Sequence, residues 1–187
     1  MSRRAPHTVA IEPLDPARHD RDGFSCGVAA VDNYFRKTAN KLSKAGNTRV
    51  FVMVSQDSDV IGFYALNAHA VDYQDLPARF SKTRPSNGSI PAAFISMIGV
   101  DRRHAGQGYG GDLLIDALLR VMHAAERIGI SVVILDVLDD GNADLVERRS
   151  ALYIRYGFQP LPSNPRRLYL PVATIKLLLL DFPALSR

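Results

Sequence analysis

The stretch that most constrains this 187-residue chain is a cluster of glycines, Gly106, Gly108, Gly110 and Gly111, set between two strongly patterned segments. Before it, Ala93 to Val100 is rich in aliphatic and β-branched residues and predicts a strand. After it, Leu113, Leu114, Ala117, Leu118, Val121, Met122, Ala125 and Ile128 recur at helical spacing. They predict a long amphipathic helix, closed by Gly129 in the left-handed C′ position. A strand running into glycines that open a helix makes an anion site. Successive N–H groups face the loop mouth, the helix start carries roughly half a positive charge, and no Cβ blocks a close approach. Arg102 and Arg103 stand where they can add outer phosphate contacts. The bland alternative is a tight turn without a ligand, but four glycines there weaken the helix start with no return in packing. A dinucleotide loop wants G-x-G-x-x-G after the first strand of a βαβ unit. Here the spacing is G-x-G-x-G-G, well inside the chain. A P-loop is excluded, because no Lys-Ser/Thr pair follows the glycines.

The rest of the chain alternates between strand and helix patterns. Val9 to Leu14 reads as a first strand. From Val28 to about Lys44, the residues Val28, Val31, Phe35, Ala39 and Leu42 fall three and four apart, as on one helix face, with Gly46-Asn47 as the stop. The opposite face carries Arg36, Lys37, Lys41 and Lys44, with Arg49 beyond. Arg49 to Ser55 and Val60 to Asn67 predict a hairpin across Gln56 to Asp59. Val71 to Pro91 is rich in loop residues, with room for a short helix near Leu76 to Phe80. Ser131 to Leu138 is nearly continuous aliphatic, as in a strand buried on both faces. Asn142 to Tyr156 reads as a helix stopped by Gly157, and Arg167 to Val172 as a strand. Ile175 to Leu180 fits a last strand or a packed tail. Such alternation indicates an α/β domain with a mixed sheet.

Composition narrows the classes further. Apolar residues make up 47% and charged residues 22%, as in an ordinary globular protein. No linker has its own composition, so one domain over residues 1–187 is expected, with a core at about 9–180. The lone cysteine, Cys26, excludes an internal disulfide and reads as a small packed residue. The net charge of +4 and a pI near 9.4 permit an anionic ligand or nucleic acid without demanding either. The start MSRRAPHTVA lacks the apolar stretch of a signal peptide. The longest aliphatic run, Leu177 to Leu180, is far short of the roughly 20 apolar residues that span a bilayer. No membrane role is expected, and the cytoplasm is the default location. No spacing of His, Cys and carboxylates suggests a metal site.

The glycine cluster followed by Leu113-Leu114 resembles the acetyl-CoA pyrophosphate loop of the GCN5-related N-acetyltransferases (GNAT). A second signature, Leu152-Tyr153-x-x-x-Gly157-Phe158, is similar to that family's tyrosine-bearing helix and the strand after it. The two occur in the family's order, with a buried strand between them. Phe24-Ser25-Cys26-Gly27, Val31-Asp32-x-Tyr34-Phe35, Gly62 to Leu66 and Arg167 to Pro171 look like one branch, the acetyltransferase toxins of bacterial toxin–antitoxin modules. The pattern reaches from Ile11 to Leu178. Ala105 stands where the family usually has Gln or Arg, and Asp139 to Asn142 look like an insert relative to the toxins.

This resemblance implies a GNAT fold, an α/β (α+β) arrangement whose mixed, mostly antiparallel twisted sheet is flanked by helices. A splayed strand around Ile98 and Val100 would take the pantetheine arm. Arg102, Arg103, Ala105, Gly106, Gln107, Gly108, Tyr109, Gly110 and Gly111 would surround the pyrophosphate. Tyr153 would be the general acid for the departing thiolate, an uphill transfer of roughly 2 kcal/mol at reference pKa values. The co-substrate is acetyl-CoA and no metal is implied. No general base stands out among Glu12, Glu126, Glu147, His69, His104 and His123. A base-poor site suits an α-amino group, which titrates near 7.7–8.0, better than a lysine near 10.4. The implied function is a toxin that acetylates the amino acid of charged tRNA to block translation, with a homodimer and a ribbon-helix-helix antitoxin as partners. The alternatives are an acetyltransferase for a small-molecule or protein amine, and a non-catalytic acyl-CoA sensor.

Overall fold

The structure, a computed structural model, describes residues 9–181. They fall into two compact units, residues 9–66 with 97–116 and residues 67–96 with 117–181. Two strands and one helix, β3 (Val60–Asp72), β4 (Ser89–Val100) and α3 (Tyr109–Ala125), run from one unit into the other.

In the first unit the strand order is β1 (Ala10–Pro13), β2 (Arg49–Val54), β3, β4. The expected hairpin is present. β2 and β3 pair antiparallel from Arg49↔Leu66 to Val54↔Val60, with a bulge between Met53 and Val54. Ser55 N–H donates to the Asp59 carbonyl at 3.0 Å across the turn. β1 adds to the other edge of β2, from Ala10↔Val54 to Pro13↔Phe51. The long helix expected between these strands is broken into α1 (Ala29–Asn33), a π turn (Tyr34–Thr38) and α2 (Ala39–Lys44). Val31, Phe35 and Ala39 lie four apart, and the wider π turn keeps all three buried. Phe35 stacks on Phe63 at 4.1 Å, and Phe24 meets both rings edge-on at 5.0 and 5.4 Å. Such pairs add to area burial and form the centre of this core. The helix ends in a Schellman motif, with Gly46 N–H on Ser43 O and Asn47 N–H on Leu42 O.

In the second unit the order is β3, β4, β5 (Val132–Asp136), β7 (Arg167–Pro171), β6 (Gln159–Pro160). β4 and β5 are parallel from Ala92↔Val132 to Ile95↔Leu135, which requires a crossover, and α3 lies on that connection. β5 with β7 and β7 with β6 are antiparallel, so the architecture is mixed. Val132 to Leu135 are all at most 2% exposed, as a strand with neighbours on both edges and cover on both faces should be. Val71, Leu76, Ile90, Ala92, Val132, Ile134, Leu161 and Tyr169 form one buried cluster.

Three further details depart from the sequence expectations. β3 continues to Asp72 and β4 starts at Ser89, leaving two 3₁₀ turns (Tyr73–Asp75 and Ala78–Thr83) between them. α3 ends at Ala125, and Gly129 is not among the left-handed residues. The chain leaves that helix through the Arg127 N–H and Ile128 N–H bonds to Ala124 O. The segment expected as a strand or tail is helix α5 (Val172–Asp181), in which Ile175 is buried and Leu177 is 64% exposed. Leucine favours helix where no neighbouring strand edge claims it. Among the described residues, no helix is long and apolar enough to cross a membrane. Residues 1–8, which carry most of the basic start, lie outside the described residues.

Candidate active site

The glycine loop lies in the first unit. β4 ends at Val100, and Asp101, 2% exposed, turns the chain. Its backbone N–H donates to Ile61 O at 2.8 Å. Its carboxylate accepts from Arg103 N at 2.9 Å, from Ser25 N at 3.0 Å, and from Arg103 Nε and Nη2 at 2.9 and 3.2 Å. Burial works to raise the pKa of this carboxyl, but the hydrogen bonds from Arg103 and Ser25 outweigh it and hold it below its ordinary value. A second buried carboxylate, Asp32, accepts from Ser25 Oγ and Cys26 N at 2.8 Å each. Together these two acids fasten the Ser25–Cys26 segment beside the end of β4. A Cβ on Gly99 would lie 3.0 Å from Val31 and 3.5 Å from Cys26, so glycine is what lets the segment close on that strand.

A 3₁₀ turn (Arg102–His104) leads into Ala105, Gly106, Gln107 and Gly108, all exposed, and α3 begins at Tyr109. Gly106 at φ +76° and Gly108 at φ +90° are left-handed, and a Cβ on either would meet nothing within 4 Å. Side chains are therefore excluded here by backbone conformation, and the space they would fill is an open mouth. Gly111 N–H and Asp112 N–H turn back onto Gly108 O at 2.9 and 3.3 Å. The earlier N–H groups, of Tyr109 and Gly110, point out of the helix start, as the first turn of any helix requires. This cradle fits a pyrophosphate. The arginines are placed differently from each other. Arg103 is held bidentately on Asp101, whereas Arg102 lies over Gly27 and donates to Ser25 Oγ at 3.2 Å. Tyr109 sets its ring edge-on to His104 at 6.4 Å. Ile98 and Val100 are half-buried on the last stretch of β4, beyond the residues paired with β5.

Tyr153 lies in the second unit on α4 (Ala143–Arg155). Asn142 caps that helix by accepting from Leu145 N–H, and Arg149 ties its middle to Leu138 O and Asp140. At the other end Phe158 N–H donates to Tyr153 O and Gly157 N–H to Ile154 O, a Schellman motif that fixes the tyrosine's own turn. The Tyr153 ring meets Phe158 edge-on at 6.2 Å and is 8% exposed. Burial pushes its phenol up to about 12, against the opposing charge of Arg149 one turn away. Tyr156 is also buried, with Arg155 over its ring.

The fold also gathers residues whose meeting the sequence did not signal. Past the paired residues of β4 and β5, Ser96 Oγ donates to Asn67 at 2.6 Å. His69 lies 5.3 Å from the Phe94 ring, and Arg167 grips Asp136 at 2.7 and 2.8 Å with its guanidinium over Phe94. Burial and Arg167 hold His69 below its ordinary pKa. The carboxylates considered as bases are otherwise placed. Glu12 accepts from His19 and pairs with Arg18, and Glu126 and Glu147 are exposed. Burial pushes the Cys26 thiol up to about 11, which suits a packed residue rather than a nucleophile. On the basic helix face, Arg36 turns inward to donate to Phe24 O, leaving Lys37, Lys41, Lys44 and Arg49 exposed.

Comparison with known proteins supplies the context for this geometry. The model of the acetyltransferase (GNAT) family matches residues 26–158. The chain is 62% identical over 170 residues to a probable toxin TacT of Sinorhizobium fredii, covering 90% of this chain and 94% of that protein. It is 34% identical over 162 residues to a tRNA-acetylating toxin of Mycobacterium tuberculosis, covering 87% and 92%. Among solved structures, AtaT complexed with acetyl-methionyl-tRNAfMet superposes with a TM-score of 0.79 at 24% identity, over 91% of this chain and 99% of that one. A mutant of the same toxin, bound to acetyl-CoA and the C-terminus of the antitoxin AtaR, superposes at 0.73 and 22%, over 91% and 97%. At these identities the structural likeness speaks for the fold.

Proposed function

Because the chain belongs to the GNAT acetyltransferase family, we propose that it is a toxin that acetylates the α-amino group of the amino acid carried by charged tRNA, with acetyl-CoA as donor. The observation that carries this reading is the 34% identity, over 87% of the chain, to a toxin described as tRNA-acetylating. Acetyl-CoA supplies the thioester whose acetyl group passes to the amine. The amides at the start of α3, around Tyr109 and Gly110, would hold the pyrophosphate, with Gly108 and Gly111 shaping the turn and Arg102 and Arg103 at its rim. Ile98 and Val100 would offer backbone partners to the pantetheine arm by strand addition. Tyr153 holds a proton on Oη for the departing thiolate. The acceptor needs only a weak base, because an α-amine is partly neutral near pH 7.7–8.0.

The same reading makes the chain one acetyltransferase domain that works in the cytoplasm as a homodimer and is neutralised by an antitoxin of the ribbon-helix-helix type. The test is a panel of acceptors incubated with acetyl-CoA. Transfer to charged tRNA, with little to polyamines, lysine peptides or free amino acids, is the expected result. Transfer to small amines with none to charged tRNA would select the small-molecule reading instead.

A further inference from the structure

The segment between β3 and β4 has no part in the chemistry above, yet it is a built feature of the second unit. Tyr73 N–H donates to Gly88 O at 3.0 Å and closes the loop at its neck. Inside the loop Leu76 is 5% exposed and Phe80 meets Tyr169 edge-on at 6.2 Å. Tyr73 and Phe80 both pack on the buried cluster of that unit. The loop is therefore anchored by its apolar side.

Its outer side is cationic. Arg79, Lys82 and Arg84 are exposed on the second 3₁₀ turn and beyond it, whereas the loop's acids, Asp72 and Asp75, precede that turn, with Asp75 acting on Arg167. Residues 78–84 therefore carry three cations and no carboxylate, which creates a local positive field at that turn. Both arginines are also held in place. The Arg79 guanidinium lies 5.2 Å from the centre of the Phe80 ring, and that of Arg84 lies 4.6 Å from the centre of Tyr73. Arg84 Nη1 donates to Ser81 O at 2.6 Å. A guanidinium stacked on an aromatic ring keeps N–H edges for a phosphate while losing little further freedom on binding.

We propose that this turn, residues 78–84, is a contact surface for the phosphate backbone of RNA, used to hold the tRNA acceptor. The inference rests on the reading of the acceptor as charged tRNA. It is tested on the full chain by binding of uncharged tRNA across a salt series, comparing wild type with Arg79→Gln/Lys82→Gln/Arg84→Gln. All three sites are exposed, and an unchanged thermal midpoint verifies the fold. Three lost phosphate contacts should lower the slope of log affinity against log salt by about 2–3. Affinity at low salt should fall at least tenfold, and KM for charged tRNA should rise while acetyl-CoA affinity is unchanged. Arg84→Lys keeps the charge and should keep the slope, but with weaker binding. An unchanged slope and affinity in the triple variant would overturn the proposal. So would a turn that binds polyglutamate and not tRNA. If wild type acetylates small amines but not charged tRNA, the functional reading fails, while the salt series still decides the turn. Binding that depends on the three cations upholds it, and no such binding removes it.

Discussion

Burial makes Tyr153 a weaker acid than a tyrosine in water, and yet keeps it permanently loaded. With its phenol near 12, a proton passed from Tyr153 to a thiolate near 8.5 would move uphill by about 5 kcal/mol, so in the proposed reaction transfer has to accompany the build-up of charge on sulfur. Tyr153→Phe removes one oxygen and leaves the ring against Phe158. The expected outcome is a loss of roughly 10²–10⁴ in kcat with acetyl-CoA affinity unchanged by titration calorimetry. An unchanged kcat would show that the proton comes from elsewhere. The pH profile makes a separate demand. Because the acid form persists to about pH 12, the rate should rise as the acceptor amine loses its proton near 7.7–8.0 and then stay level to pH 10. A descending limb between pH 8 and 9.5 would assign the acid to another group. Asp101 works through structure. Its carboxyl is held below its ordinary value, so its stabilisation is fully present above the unfolded-state value near 3.9 and is lost as pH falls through the lower folded one. Asp101→Asn should lower stability near neutrality by about 2 kcal/mol and flatten the dependence of the thermal midpoint on pH between 2 and 5.

At the scale of elements, the glycine loop is a strand end, a 3₁₀ turn and a helix start joined through Gly106 and Gly108, whose left-handed φ favours glycine. Gly108 at φ +90° faces open space, so Gly108→Ala costs about 1–2 kcal/mol of backbone strain and places a methyl group in the mouth. KM for acetyl-CoA should rise at least tenfold, while the thermal midpoint falls by less than about 8 °C. An unchanged KM would separate the loop from the cofactor. The elements also differ in how far their sequences speak for them. The β2–β3 hairpin and α4 are readable because β-branched and aromatic runs around a polar link, an asparagine at the helix start and a terminal glycine are local signals. The π turn is not, because Val31, Phe35 and Ala39 show the same spacing in a regular helix. α3 ends before the sequence pattern does, because the apolar spacing continues to Ile128, which is 62% exposed.

For the whole molecule, the net charge of +4 does not by itself identify a nucleic-acid partner. Some of the cations serve the fold, as Arg36, Arg103 and Arg167 do on Phe24 O, Asp101 and Asp136. Function is better tested by consequence. Expression of the chain without an antitoxin should arrest growth and translation, and the Tyr153→Phe chain should not. Normal growth alongside measurable acetyl-CoA binding would remove the toxin reading. The family and the two signature segments around Gly108 and Tyr153 were legible in the sequence alone, because they depend on residue types at fixed short spacings. Only the tertiary structure decided which charges are spent internally, and how the segments around Ser25 and Tyr73 are fastened. It also decided that Asn67, His69, Phe94, Ser96, Asp136 and Arg167 share one region of the second unit. Those contacts join residues far apart in the chain, and their partners are chosen by strand register and burial, which leave no mark at any single position.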